Sequence, residues 1–442
     1  MRYPPGPAGF SLRHFLALRR HPLAAMRTLW REYGDLAHVR FGPQHVYLVC
    51  EPDLIQQILV THSRQFIKGR VLQKAKRVLG EGLLTSEGDF HLRQRRLVQP
   101  AFHRERLASY AGQMVECALR HRSRWRDGES RDVAGDMMRL TLAIVGRTLF
   151  SADVEDEAGE IGIALTRIVS AFDRFMLPWY ELLEKLPTRR ARETREARAT
   201  LDRIIFGLID ERRRSGQDHG DLLSMLLLAT DPEGDGGGMT DQQVRDEALT
   251  LFLAGHETTA NALTWTWYLL SQHPNAYAKM LAEVTTELGG RAPGFEDLPR
   301  LKYTEAVFAE SMRLYPPAWT VARMNPAEYP LRDYRVPARS LLVMPVAILH
   351  RHPKYWPEPD RFWPERWAEK DESRPKFAYF PFGGGPRLCV GERFAWMEGV
   401  LLLATLVQKW RYELEPGHAV EELPQITLRP KNGLRMRLRL GN

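Results

Sequence analysis

Apolar positions recur at helical spacing along most of the chain, and from about residue 90 to residue 228 almost every stretch fits a 3.6-residue period. The exceptions are short. AHVRFG and HVYLVC alternate apolar and polar like two strands, with Gly42 and Pro43 between them as a hairpin turn. EPDLIQQILVTHS then predicts a helix. RRARETREARATLDRIIFGLIDERRR places opposite charges four apart, as a helix with one solvated face does. FMLPWYELLEKLPT is broken by Pro178 and Pro187 and exposes aromatic bulk, and DPEGDGGG (Asp231 to Gly238) predicts a flexible loop. After it, Thr240 and Gln243 have the spacing of a capping box, and no proline follows before Pro274. The helix predicted there ends at Ser271 and is roughly 48 Å long at 1.5 Å per residue. It is apolar on most faces, which predicts a central, buried rod. A further helix is predicted from Tyr303 to about Leu314, then short strands around YRVPARSLLVMPV, a Pro/Trp-rich loop, a glycine-rich loop and a last helix in ERFAWMEGVLLLATLVQKW. There are no internal repeats. The pattern predicts a mainly α fold with small β-sheet portions, in one large domain over residues 1–442. A small β-containing N-terminal part takes up about residues 1–60.

Composition narrows the class. The 442 residues are 44% hydrophobic and 27% charged, as in ordinary globular proteins. The formal charge of +8 admits an acidic protein partner, an anionic surface or nucleic acid. No Lys/Arg run interleaved with aromatics supports nucleic acid. Cys50, Cys117 and Cys389 are too few and too far apart for a disulfide framework. Cys50 ends the apolar run VYLVC and Cys117 lies in MVECAL, so both are expected in the core, and a reducing, cytoplasmic setting is expected. The first twenty residues have no secretory h-region, and no apolar run approaches the roughly 18 residues of a membrane span.

Chemistry concentrates in four places. PFGGGPRLCVG, Pro381 to Gly391, puts Cys389 where a glycine-rich loop becomes a helix. The unpaired N–H groups and positive dipole end there favour a thiolate, either as nucleophile or as metal ligand. AGHETT, Ala254 to Thr259, puts Gly255, Glu257 and Thr258 inside the long apolar helix. A proton relay with room for a diatomic is one reading; a helix kink with Thr258 bonded back to a carbonyl is the other. Glu310 and Arg313 lie three apart on one predicted helix face, where an exposed ion pair is the default. PERW adds Arg366 in a loop.

In this order, these segments resemble the haem–thiolate monooxygenases, the cytochromes P-450, over essentially the whole chain. The cysteine loop fits F-x-x-G-x-R-x-C-x-G at Phe382, Gly385, Arg387, Cys389 and Gly391, alongside A-G-x-[DE]-T, E-x-x-R and P-E-R. The resemblance implies the cytochrome P-450 fold, with its long central helix and haem-thiolate loop, and haem b (iron protoporphyrin IX) as cofactor. Cys389 is then the axial thiolate, with loop glycines letting backbone approach the porphyrin. Ala254 and Gly255 line the oxygen side. Glu310, Arg313 and Arg366 form a buried structural triad, which replaces the exposed-pair default. Arg387 and Arg323 pair with haem propionates. Arg95 matches the basic residue of a W-x-x-x-[RH] helix in which His91 stands at the tryptophan position, a departure from the family pattern.

The implied reaction is O2 activation with two electrons and two protons, Glu257 and Thr258 passing the protons. The sequence carries no Gly-rich dinucleotide fingerprint and no spare cysteine cluster. Electrons are therefore expected from a separate acidic ferredoxin, flavodoxin or reductase, docking on Arg93, Arg96, Arg104, Arg106 and Arg393. Family topology puts Leu72, Leu84, Phe172, Phe175, Met176, Leu253, Ala318, Trp319, Val321 and Ile426 around the substrate. This apolar wall suits a lipophile such as a fatty acid, terpenoid or carotenoid, and AGHETTANALTWTWYLLS with LRLYPPAW most resembles bacterial members. A peroxide-driven or redox-neutral haem–thiolate enzyme and a non-catalytic haem sensor are the rival readings.

Overall fold

The computed structural model describes residues 2–7, 12–151, 158–175, 188–231, 233–234, 236–369 and 371–441. In chain order the helices are α1 (Leu12–Arg20), α2 (Pro22–Tyr33), α3 (Pro52–Gln56), α4 (Arg70–Leu79), α5 (Gly88–Val98), α6 (Arg104–Ser123), α7 (Val133–Phe150) and α8 (Ala158–Phe175). They continue as α9 (Arg189–Ser215), α10 (Leu222–Leu228), α11 (Asp241–Gln272), α12 (Pro274–Leu288), α13 (Lys302–Leu314), α14 (Val346–Leu349) and α15 (Glu392–Val407). The strands are β1 (Leu36–Phe41), β2 (Gln44–Val49), β3 (Ile67–Lys68), β4 (Ser130–Asp132), β5 (Val321–Met324), β6 (Tyr329–Leu331), β7 (Tyr334–Val336) and β8 (Leu341–Met344), then β9 (Trp410–Leu414), β10 (Glu422–Pro424), β11 (Leu428–Pro430) and β12 (Arg435–Leu440). They form two compact units, each assembled from separated stretches of chain.

The first unit comprises Met1–Arg70, Ala309–Cys389 and Glu422–Arg429. Its main sheet has the order β1-β2-β8-β5-β3. The expected hairpin is present, with Phe41 opposite Gln44. Gly42 takes φ 58° at the first turn position, a conformation that favours glycine. β8 pairs parallel to β2, so the β structure is not confined to the first sixty residues. Period-2 alternation sends Tyr47 and Val49 into one apolar cluster and Leu48 and Cys50 into another, so both faces of β2 are covered. The helix predicted over residues 51–63 is shorter than expected. α3 stops at Gln56 and widens into a π turn over Gln57–Thr61, closed by His62 N–H on the Gln57 carbonyl at 2.8 Å. The backbone of Gly385 lies against this turn: a Cβ there would come within 2.0 Å of the Leu59 carbonyl oxygen.

The second unit comprises Val71–Phe308, Val390–Glu421 and Pro430–Asn442 and is mostly helical. α11 is its axis. Its N-terminus closes with both bonds of the capping box: Gln243 N–H donates to Thr240 Oγ1 at 3.2 Å, and Thr240 N–H to Gln243 Oε1 at 2.9 Å. α7 lies along α11. Phe150 stacks on Phe252 with ring centroids 4.0 Å apart, and a Cβ on Gly255 would be 3.1 Å from Val145 Cγ2. The helix-interior glycine thus marks a close approach of two helices. α15 packs on α6, where Phe394 meets Phe102 and Tyr110 edge-on. A three-stranded sheet, β4-β12-β9, completes the unit.

Two departures from the sequence reading have physical causes. Pro274 ends one helix by opening the next: it sits in the first turn of α12, where its missing N–H costs nothing, and Gly289 (φ 58°) closes that helix. The DPEGDGGG loop is anchored, because Asp231 is 1% exposed and accepts bonds from Arg96 Nε and Nη2 at 3.0 and 2.7 Å. FMLPWYELLEKLPT lies outside the described residues except for Phe175 at the end of α8 and Thr188 at the start of α9.

Glu398 of α15 is fully buried near Thr259, and burial pushes its carboxyl up to about 8. An unfolded glutamate titrates near 4.3, so the fold holds a proton that the unfolded chain loses over the pH range between. Such a group costs no stability below the lower value and progressively more as pH rises toward the higher one. Glu398→Gln, which is neutral at every pH, should differ from the wild type by a constant amount below about pH 4 and gain stability relative to it progressively from there to pH 8. Denaturant midpoints measured across that range check this, and a pH-independent difference would show that Glu398 is not the titrating group.

Candidate functional site

The first unit brings Glu310, Arg313 and Arg366 together. Arg313 donates Nε and Nη2 to the two Glu310 oxygens, each at 2.8 Å, and Arg366 Nε donates to Glu310 Oε1 at 2.9 Å. All three side chains are at most 3% exposed. Trp363 N–H and Trp367 Nε1 also donate to this carboxylate, at 3.0 and 2.9 Å, two partners that sequence reasoning missed. The remaining Arg313 donors reach the carbonyls of His350, Pro359 and Arg361. The Arg313, Arg366 and Arg374 guanidinium groups lie 5.0, 6.0 and 4.0 Å from the buried Trp356 ring. The excess positive charge is met by carbonyls and aromatic faces.

The cysteine loop ends the same unit. Cys389 is exposed, and its N–H donates to the Phe382 carbonyl at 3.0 Å. The loop glycines do more for packing than the sequence suggests: Gly385 (φ 67°) lies on Leu59, and Gly384 lies against the Phe377 ring. Gly383 (φ 77°) has open space on its Cβ side. Arg387 is partly exposed in the turn Gly385–Arg387, and Arg323 is buried on β5, where Nη1 donates to the Ala322 carbonyl. Ala318, Val321 and Ile426 are partly exposed, while Trp319 is buried, its indole N–H on the Gln425 carbonyl at 2.8 Å.

The second unit supplies the rest. α11 is buried along most of its length, yet Ala254 is exposed and Gly255 and Thr258 are partly so. The bond of the kink reading is present: Thr258 Oγ1 donates to the Ala254 carbonyl at 2.7 Å. Thr264 and Thr266 make the same bond from fully buried positions, so it is the ordinary way this helix satisfies a hydroxyl. What distinguishes Thr258 is access, not bonding. Glu257 beside it is 4% exposed, and Leu253 is buried. His91 (buried) and Arg95 (partly exposed) lie one turn apart on α5. Gly391 precedes the first turn of α15. Leu72 and Leu84 are partly exposed; Phe172 and Phe175 lie on α8, and Met176 lies outside the described residues.

The five arginines expected to form a docking face divide. Arg96 is paired with Asp231, Arg93 donates to the carbonyls of Gly237 and Gly238, and Arg106 donates to that of Gly220. These three brace loops. Arg104 and Arg393 remain exposed, each in the first turn of its helix.

Residues 4–435 match the family model Cytochrome P450. This chain belongs to the cytochrome P450 family. Among relatives of the P450, cyclooctatin synthase of Streptomyces melanosporofaciens is 42% identical over 97% of this chain and 94% of its own. Cyclooctat-9-en-7-ol 5-monooxygenase of the same organism is 40% identical over 92% and 88%. Pentalenene oxygenase of Streptomyces avermitilis is 35% identical over 96% and 94%. The crystal structure of the cytochrome P450DA heme domain superposes with a TM-score of 0.88 at 27% identity, covering 99% of this chain and 97% of that one. The protein is therefore a P450 monooxygenase whose cofactor is haem b. Its donor set fits that group. Burial pushes the thiols of Cys50 and Cys117 up, and both are enclosed, whereas Cys389 is the exposed cysteine. No helix among the described residues is long and apolar enough to cross a membrane.

Glu310→Ala would leave Arg313 and Arg366 buried without their counter-charge, a loss of roughly 3–5 kcal/mol. The expected result is insoluble protein or protein without haem. A soluble, haem-replete variant with an unchanged denaturation midpoint would show that carbonyls and Trp356 alone hold the two arginines.

Proposed function

We propose that this P450 hydroxylates a cyclic terpenoid. The observation that carries the reading is the break in burial on α11. Ala254 is exposed hydrocarbon, Gly255 is partly exposed, and Thr258 is the accessible hydroxyl. A lipophile with few polar groups suits such a surface. The relatives named above, alike over nearly their whole length, act on terpenoids, which favours this class over a fatty acid.

In this reading Cys389 would hold the haem iron through its thiolate. Arg387, Arg323, Arg95 and His91 would hold its propionates, and Phe382, Gly385 and Gly391 would shape the loop around the thiolate. When bound, haem supplies the activation of O2 and the oxidation of substrate carbon. The chain's own residues position and protonate. Ala254, with only a methyl group, leaves room for the oxygen molecule, and Gly255 lets α11 pack closely on Val145 beside it. Thr258 holds a hydrogen bond at the oxygen atom that leaves as water, and Glu257 resupplies its proton. The buried neighbours on α11 keep bulk water from competing for that path. Electrons come from a separate acidic ferredoxin, flavodoxin or reductase. Arg393 supports this as an exposed cation at the positive end of a helix dipole, and Arg104 is placed likewise, with its guanidinium 6.0 Å from the Phe295 ring.

Titration with cyclic sesquiterpenes and diterpenes should shift the haem spectrum as the iron-bound water is displaced, at lower concentrations than fatty acids of equal carbon number require. Tighter fatty-acid binding would overturn the terpenoid assignment. Cys389→His should abolish the strongly red-shifted Soret band of the reduced CO complex, while Cys50→Ala and Cys117→Ala keep it. Thr258→Ala should retain haem and the substrate shift but release most reducing equivalents as hydrogen peroxide. Unchanged coupling of reductant to product would remove Thr258 from proton delivery.

A further inference from the structure

Four polar residues near the start of α11 are buried without being near its solvent end, and the accessible stretch of the helix does not use them. Arg245, Asp246, Glu247 and Thr250 are 1%, 6%, 0% and 3% exposed. Two of them accept N–H groups of one short segment, residues 80–86, and Arg245 reaches the residue just before it. Asp246 Oδ2 accepts the Glu81 N–H at 2.8 Å, and Glu247 Oε2 accepts the Leu83 N–H at 3.0 Å. Arg245 Nη1 donates to the Leu79 carbonyl at 3.3 Å and to Asp246 at 2.9 Å, and its other nitrogens hold Asp202 of α9. Two glycines make the approach possible. A Cβ on Gly80 (φ 78°) would be 2.1 Å from the Asp246 carboxyl group, and one on Gly82 would be 2.2 Å from Thr250 Oγ1 and 2.6 Å from the Asp246 carbonyl. The segment is also closed on itself. Thr85 Oγ1 donates to the Gly80 carbonyl at 2.6 Å, and the N–H groups of Thr85 and Ser86 donate to the Gly82 carbonyl.

The register along α11 gives this clamp a consequence. Asp246, Thr250, Ala254 and Thr258 follow at steps of four, so each is the next neighbour of the last on the helix surface. The segment covers the first two. The third is the exposed alanine, and the fourth the accessible threonine. Leu83, whose N–H is held by Glu247, is buried, and Leu84 next to it is left partly exposed.

We propose that Asp246 and Glu247 are positioning residues that fix segment 80–86 to α11 as a rigid wall. By holding Leu84 in place beside Ala254 and Thr258, they set which carbon of the substrate is presented for oxidation. Glu247 is the decisive member. It is wholly enclosed, burial pushes its carboxyl up to about 8, and its second oxygen, Oε1, has no partner among the described residues. A buried acid with one satisfied oxygen is a costly choice for mere packing. Its bond to the Leu83 amide is the return. This proposal rests on the terpenoid reading only for the identity of the substrate whose products are scored.

The test uses the holoenzyme and Glu247→Leu, which keeps the volume and loses the acceptor, with Glu247→Gln, which keeps an acceptor for Leu83, as control. Two readouts are needed. In the wild type, the amide of Leu83 should be strongly protected from hydrogen exchange. Glu247→Leu should speed exchange over residues 80–86 at least tenfold without changing haem content or the reduced CO spectrum, and Glu247→Gln should stay within about twofold of wild type. With a cyclic terpene that the wild type hydroxylates, Glu247→Leu should redistribute product among carbons, and Glu247→Gln should not. Rapid exchange at Leu83 in the wild type would overturn the proposal even if neither variant could be purified. So would a haem-replete Glu247→Leu protein with wild-type exchange and product ratio. Failure of every terpene to react would refute the proposed function while leaving the exchange result to decide the clamp.

Discussion

One carboxylate organises the first unit. Glu310 is wholly enclosed and accepts five hydrogen bonds, from Arg313, Arg366, Trp363 and Trp367. An isolated ion in that position would be prohibitive, so every donor around it is an obligation on the chain. Arg313 must be three residues away on the same helix, and the backbone at 350, 359 and 361 must turn its carbonyls inward. Trp356 must lie flat beneath the guanidinium groups. Together these demands specify an irregular stretch of about thirty residues that has almost no regular secondary structure of its own, and this stretch leads directly into the cysteine loop. A loop that must present a sulfur in one orientation gains from being braced by a network that cannot be partly formed.

The second unit faces the converse problem. A helix covered on nearly all sides has little use for polar side chains, yet α11 carries many. Thr258, Thr264 and Thr266 resolve this locally, each returning its proton to the carbonyl four residues earlier. Its charged residues resolve it through neighbours, Arg245 with Asp202 and Asp246, and the two acids with amides of segment 80–86. Only around Ala254 and Thr258 is the covering withdrawn. The contrast between a satisfied, enclosed polar group and an accessible one identifies the reactive stretch better than residue type does, since Thr258 and Thr264 make the same bond in different surroundings.

Much of this was legible in the sequence because it depends on local spacing. The capping box of α11, the Gly42–Pro43 hairpin, the four-residue ion pairs of α9 and the motif around Cys389 are all short-range patterns, and each has the structure that its spacing requires. Gly255 was legible as a glycine inside a helix, but not its close approach to Val145, which comes from a distant part of the chain. Other features were hidden for physical reasons. A proline can end one helix and open the next, and Pro274 does both. Met436 and Leu438 alternate with arginines as a half-buried strand should, but the strand's existence rests on pairing with Trp410–Leu414 and Ser130–Asp132 on its two sides, far off in sequence. Gly384 and Gly385 read as freedom for a cofactor loop, whereas the space they vacate is filled by Phe377 and Leu59.

Charge shows the same division. A net charge of +8 suggests a basic docking surface, but a formal sum does not distinguish a spent arginine from an available one. Arg96 is bound to Asp231, an acid that anchors the loop sequence alone had marked as flexible. Reversing Arg96 would therefore unseat that loop as well as alter a surface. Arg104 and Arg393 are different in kind. Each begins a helix, where a cation meets the positive end of the dipole and an acid would be the stabilising choice. The fold tolerates that small cost twice, at the starts of α6 and α15, where Phe102, just before α6, meets Phe394 of α15 edge-on. Two cations kept exposed where local energetics disfavour them are a more informative signal of a partner than any count of basic residues.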